Sequence, residues 1–217
     1  MTQAVIQTLG ESALVLNAGV NLALSYQLRL WVVASQARNW PHVIDVVPGM
    51  NNVTLLFDPL QADIRQLTGK LQNAWDEAAA VQQLGREIEI PVSYGGDYGP
   101  DLADVARSTG FSAKEVVKRH AAAEYVVYFI GFQPGFPYLG GLDPALSTPR
   151  RSEPRLAVPA GSVGIGGSQT GIYPAASPGG WQLIGHSDIN LFDPHSHAPT
   201  LLQPGDRVRF IAREVLL

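Results

Sequence analysis

Glycine and proline are distributed so unevenly along this chain that no single architecture accommodates all of it. Only four of the 22 glycines (Gly10, Gly19, Gly49, Gly69) and three of the 16 prolines (Pro41, Pro48, Pro59) precede Gly85. Glycine admits positive-φ backbone, whereas proline fixes φ and removes a donor, so a segment dense in both cannot be made of long helices. Two domains of different construction are expected, residues 1–92 and 93–217.

The first part alternates element types. Segments 4–8 (AVIQT) and 13–17 (ALVLN) read as strands around a Gly10-Glu11-Ser12 turn. Residues 21–38 lack Gly and Pro and place Leu24, Leu28 and Trp31 at helical spacing. Leu22, Leu24, Tyr26, Leu28 and Leu30 also alternate, and length favours the helix. Strands at 43–47 and 53–57 flank a PGMNN turn. Asp58-Pro59 reads as a helix start, with Ile64, Leu67, Leu71, Trp75 and Ala78 on one face. Ile88, Ile90 and Val92 then alternate with Glu87 and Glu89 as a strand. Apart from the extra first strand, this order predicts an α+β domain of ferredoxin-like type.

The second part opens with helices after Asp101 and Ser112, the latter with Glu115 in capping-box position, and a strand at 124–130 (EYVVYFI). Short apolar runs between Gly and Pro follow, and LLQPGDRVRFI closes the chain as a turn and a strand. Such a pattern predicts a mainly-β barrel or sandwich.

Composition removes several classes of function. With 46% hydrophobic and 16% charged residues, the chain can bury a core. A formal net charge of −4 offers nothing to nucleic acid or an acidic membrane surface. Without cysteine there is no disulfide, thiolate nucleophile or Cys-bound metal. The N-terminal stretch has no basic residue before Arg29, and no apolar run is long enough to span a bilayer, so a cytoplasmic protein is expected.

GFQPGFPYLGGL (131–142) sets Phe132, Phe136 and Tyr138 on a loop too rich in Pro and Gly for a helix or a central strand. Such rings either plug the structure or line a site. From Leu156 to Ser187 there is no Asp, Glu, Lys or Arg, and eight glycines occur. These glycines either turn barrel corners or let backbone N–H groups approach a ligand, with Ser162, Ser168, Gln169, Thr170 and Tyr173 as polar partners. No Walker loop fits, because the last lysine is Lys118, and Gly164-Ile165-Gly166 lacks the third glycine of a dinucleotide fingerprint. Arg150, Arg151 and Arg155 read either as an anion clamp or as a solvated turn beside Glu153. His186 reads either as a proton shuttle or as a histidine bonded to backbone. Ser162 has Ala160 where a nucleophile elbow needs glycine. His195 and His197 share a face but lack a clear third metal ligand. Tyr94-Gly95-Gly96 reads as a linker or a site cover.

Taken in order, GFQPGFPYLGGL, TPRRSEPRLAVPAGSVGIGGSQTGIYPAASPGGWQLIGHS, LFDP (191–194) and LLQPGDRVRF resemble the family of the 5-oxoprolinase B subunit, with VPGMNN and IPVSYGG extending the match. KipI-type kinase inhibitors and allophanate hydrolase subunit 1 belong to the same family. The resemblance implies an N-terminal α+β domain and a C-terminal cyclophilin-like β-barrel. It implies direct pairing with the C subunit of 5-oxoprolinase, and work with ATP and the A subunit, with Mg held by the complex, to open 5-oxo-L-proline to L-glutamate. Phosphorylating the lactam oxygen would make its carbon electrophilic for water. It further implies a site where the halves of the related carboxyltransferase architecture meet, and self-association of the isolated chain through apolar rings left exposed there. On this reading the catalytic candidates are His186 as general acid–base, Arg155 as anion binder and Gln169. Phe132, Gln133, Phe136, Tyr138, Arg150, Ser162, Thr170, Tyr173 and Trp181 are candidates for substrate or partner contact. Inhibition of a sensor histidine kinase and a carboxyltransferase role in a urea carboxylase system are the alternatives.

Overall fold

The computed structural model describes residues 4–19, 23–80 and 85–217. Two compact units divide the chain, Met1–Gln83 and Leu84–Leu217. The boundary expected after residue 92 therefore falls earlier, because the strand containing Ile88, Ile90 and Val92 pairs within the second unit.

The first unit contains β1 (Val5–Thr8), β2 (Ala13–Asn17), α1 (Leu24–Ala37), β3 (Val43–Gly49), β4 (Asn52–Phe57) and α2 (Ile64–Glu77). Its sheet has the order β1-β2-β4-β3, with β4 antiparallel to both β2 and β3. Strands β2 and β3 therefore run parallel, joined by α1, with β4 between them. The ferredoxin-like order would complete this sheet with the strand after α2. Here β1 takes that edge instead, paired antiparallel with β2. Period-2 alternation turns Val53, Leu55 and Phe57 of β4 inward, where they join Leu30 and Val33 of α1 and Leu67, Leu71 and Trp75 of α2 in one core.

Helix α1 settles the ambiguity of its segment, although the first two residues of the expected range, 21 and 22, lie outside the described residues. Its buried face is Gln27, Leu30, Val33, Ala34 and Ala37 with Leu28, not the Leu24–Trp31 stripe expected. Asp58 caps only a turn, accepting from Leu60 N–H at 2.9 Å. The cap of α2 is Asp63, which accepts from Arg65 and Gln66 N–H. The Arg29 guanidinium stacks 3.9 Å from the Trp75 ring centroid and donates to the Ala78 carbonyl, tying α1 to the end of α2.

The second unit contains β5 (Glu87–Gly95), α3 (Leu102–Thr109), α4 (Ala113–Ala122), β6 (Glu124–Ile130), β7 (Pro137–Gly140), β8 (Arg155–Val158), β9 (Ser162–Gly166), β10 (Gln169–Ile172), β11 (Ser177–Gly179), β12 (Gln182–His186) and β13 (Arg207–Leu216). Seven of these close a barrel in the order β10-β7-β6-β13-β5-β12-β9, while β8 and β11 form a separate two-stranded ribbon. The barrel is in keeping with the cyclophilin-like expectation. The first barrel strand and the last, β5 and β13, run parallel from Arg207 opposite Glu87 to Leu216 opposite Gly95. A buried Asp206 holds the start of this pair by accepting from Arg86 N–H at 3.1 Å and from the Arg86 guanidinium. Part of the aromatic loop does become a strand. Pro137 begins β7, a position where its missing N–H is tolerated, and Tyr138 to Gly140 pair with β6.

No helix among the described residues is long and apolar enough to cross a membrane.

Candidate functional site

The barrel unit has a main core, with Tyr94, Tyr125, Ile165, Val208 and Phe210 among its members, and a small second cluster of Phe136, Val158, Tyr173, Trp181 and Leu183. This second cluster floors a pocket of about 190 Å³. Phe132, Phe136 and Tyr138 come from the 131–142 loop and β7, Arg150 and Arg151 from the segment after Leu146, Tyr173 from the end of β10, and Trp181 from the start of β12. Gly179 and Gly180 complete the rim. A Cβ on Gly179 would stand 2.5 Å from the Tyr173 hydroxyl, so the small residue is needed to admit that ring.

The rings pack edge to face. Phe136 lies 5.0 Å from Tyr138, 5.2 Å from Tyr173 and 5.5 Å from Trp181, at interplanar angles of 60°, 81° and 86°. Each such pair adds about 0.5–1.5 kcal/mol beyond its buried area, so the floor is rigid. Phe132 differs. The residue is 61% exposed, but its ring meets Phe136 edge-on at 5.4 Å. Its φ is +67°, and Gln133 N–H donates to the Gly131 carbonyl at 2.8 Å, closing a three-residue γ-turn around it. Positive φ in a non-glycine residue costs on the order of 1–3 kcal/mol, and such strain gathers at functional sites. The Gln133 side chain anchors the turn by donating to the Ala175 carbonyl at 3.3 Å.

Electrostatics around the pocket are one-sided. Arg155 grips the buried Asp101 in bidentate fashion, at 2.7 and 2.9 Å, and Arg151 reaches the same carboxylate at 3.2 Å. Asp101 also accepts from Leu183 N–H at 2.7 Å, and so leaves α3 without a side-chain cap. The three-arginine clamp expected from sequence is thus divided: Arg155 and Arg151 share the single carboxylate of Asp101, which leaves that trio with an excess of positive charge. Arg150 has no carboxylate partner among the described residues, and its guanidinium carbon lies 5.9 Å from the Trp181 ring centroid. Burial raises the pKa of both the Tyr138 and Tyr173 phenols, against an opposing pull from Arg150, so both hydroxyls are protonated at neutral pH.

The other candidates lie elsewhere. His186 ends β12, and its Nε2 contacts the Ala160 carbonyl at 2.9 Å. In the neutral imidazole this makes Nε2 the N–H and leaves Nδ1 as the basic atom, 3.6 Å from Asp188 Oδ1. His186 lines a separate pocket of about 250 Å³ with Pro91, Ser93, Asp188, Ile189 and Arg213. A strand rises about 3.3 Å per residue, so the length of β12 puts about 16 Å between Trp181 and His186. One small molecule cannot touch both. Ser162 is buried opposite His186 in the β9–β12 pair. Thr170 is fully buried and bonded to Gly164 and His120, so it is a core residue and not a ligand contact. Gln169 begins β10 with its Nε2 unpartnered. His195 and His197 are exposed, and no group of three or more His, Asp or Glu among the described residues is arranged to hold a metal. Sequence reasoning missed the role of Asp101, and no local signal marks it, since its partner Arg155 is 54 residues away.

Residues 4–202 match the family described as "Carboxyltransferase domain, subdomain C and D", and the chain belongs to it. It is 51% identical to the 5-oxoprolinase B subunit of Escherichia coli O157:H7 over 99% of this chain and 98% of that protein. It is 48% identical to the 5-oxoprolinase B subunit of Haemophilus influenzae over 98% and 99% of the two chains. The solved structure of TTHA0988 superimposes with a TM-score of 0.81 at 39% identity, covering 93% of this chain, which spans only 40% of TTHA0988. The K. lactis urea amidolyase matches with a TM-score of 0.82 at 20% identity, covering 97% of this chain and 15% of its own, which shows a shared fold.

Proposed function

We propose that this chain is the B subunit of an ATP-dependent 5-oxoprolinase, acting with the A and C subunits to open 5-oxo-L-proline to L-glutamate. The observation that carries this reading is the likeness to proteins of that name along essentially the whole of both chains. The net chemistry adds water across the lactam C–N bond, giving a free amine and a second carboxylate, with ATP hydrolysed to drive it. ATP and its Mg are assigned to the assembled complex. Toward anions this chain offers the Arg150 guanidinium.

In this reading the aromatic pocket is the chain's binding surface, and Phe132, Phe136, Tyr138, Tyr173 and Trp181 are its walls. Arg155 is a positioning residue: through Asp101 it fixes the backbone at Leu183, two residues beyond Trp181. His186 is a general acid–base candidate for a group other than one bound in this pocket.

The test is glutamate release from 5-oxo-L-proline and ATP by the chain mixed with its cognate A and C subunits, each omitted in turn. Release is expected to require all three. Equal release by the other two without this chain would overturn the reading.

A further inference from the structure

We propose that the aromatic pocket recognises a small ring bearing a carboxylate, with Arg150 taking the carboxylate and the Phe132 ring covering the ring face. This inference rests on the 5-oxoprolinase reading and deepens it, by assigning the two parts of the substrate to two residues.

Three independent observations converge. The first is charge. The pocket wall carries the guanidiniums of Arg150 and Arg151 and, among the described residues, no carboxylate. Arg151 shares the Asp101 carboxylate with Arg155, so Arg150 is the wall guanidinium with no carboxylate partner among the described residues. A guanidinium fork matches a carboxylate geometrically, and Arg150 presents its fork on the exposed side of the pocket. The second is size. A volume of about 190 Å³ is below the roughly 300–1,000 Å³ of sites for drug-sized ligands, and fits one small ring, not a nucleoside. The third is strain. Phe132 gains little from burial, since the residue is 61% exposed, yet it is held at φ +67° by a γ-turn tied to Ala175. The turn keeps a flat apolar face at the mouth of the pocket, where a bound ring would complete its packing.

The experiment compares steady-state kinetics of the reconstituted complex carrying wild-type chain, Arg150→Gln or Phe132→Ala, each checked for wild-type circular dichroism. 5-Oxo-L-proline is the substrate, and 2-pyrrolidinone, the same lactam without its carboxylate, is the competitive inhibitor. Arg150→Gln is expected to raise the KM for 5-oxo-L-proline about ten- to a hundredfold, the loss of one charge-assisted contact, while leaving inhibition by 2-pyrrolidinone unchanged. Phe132→Ala is expected to weaken both compounds alike, because both present the same ring. An unchanged KM in Arg150→Gln, or an equal weakening of both compounds by it, overturns the carboxylate assignment. Unchanged values in Phe132→Ala overturn the assignment of Phe132. Those outcomes leave the 5-oxoprolinase reading intact, provided that omitting the chain abolishes activity. Activity without the chain overturns both.

Discussion

His120 lies in the barrel core with its ring 4.6 Å from Phe210, fully buried and fully hydrogen-bonded. Thr170 Oγ1 donates its only proton to the Gly164 carbonyl, so it must accept from His120 Nε2 at 2.9 Å. Nδ1 is then left to accept from the Tyr94 hydroxyl at 2.8 Å. The neutral Nε2–H tautomer satisfies every group, and a second proton, on Nδ1, would take away the acceptor of the Tyr94 hydroxyl proton. Burial accordingly pushes the pKa from 6.5 down to about 3. An unfolded histidine takes up a proton near pH 6.5, so the unfolded state binds more protons between these values. The contribution to stability is complete above pH 6.5. It is lost at about 1.4 kcal/mol per pH unit as pH falls toward 3. Denaturant titrations at several pH values check this: His120→Gln should lack that part of the acid slope. Asp101 is the second residue whose burial determines what a change would do. Asp101→Ala leaves Arg155 without its partner and Leu183 N–H without an acceptor, and should cost about 3–5 kcal/mol in the same titrations. Neither residue declared itself in the sequence. A histidine in an ordinary helix pattern and an aspartate before a helix carry no local mark of partners 50 and 54 residues on.

Elements were legible where their cause is local. Strands 13–17 and 124–130 fall where alternation and β-branched residues placed them, and Ser112 caps α4 through Glu115 N–H. The cap of α2 was misplaced because Asp58 and Asp63 both cap a hydrogen-bonded turn with their side chains, and only the turn after Asp63 continues as a helix. Strand β5 was found but given to the wrong unit, since alternation reports which face is buried and not which strand is adjacent. Its partner β13 lies more than a hundred residues away and pairs in parallel, a connection no turn signal announces. The end of that pair makes a sharp prediction. Gly95 has φ +74°, and a Cβ there would collide with the Leu216 carbonyl. Gly95→Ala should destabilise the protein by more than the roughly 1 kcal/mol of an ordinary strained turn and raise amide exchange along the β5–β13 ladder, as read by hydrogen-exchange mass spectrometry.

Across the molecule as a whole, the chain maintains two separate cores, one around Leu30, Leu55, Leu71 and Trp75 and one around Tyr94, Tyr125, Ile165 and Phe210. Leu71→Ala should cost about 2–5 kcal/mol, and the loss of exchange protection should be confined to residues before 84. The two-part construction, the period of most elements and the aromatic loop were already written in the order of residues, because each follows from the conformational range of neighbours in the chain. Which guanidinium of the pocket wall lacks a carboxylate partner among the described residues, which histidine is sunk in the core, and the placing of the ring pocket and His186 at opposite ends of β12 became visible only in the folded chain. Those properties are differences in solvation and charge pairing between groups brought together from distant parts of the chain, and no local pattern encodes them.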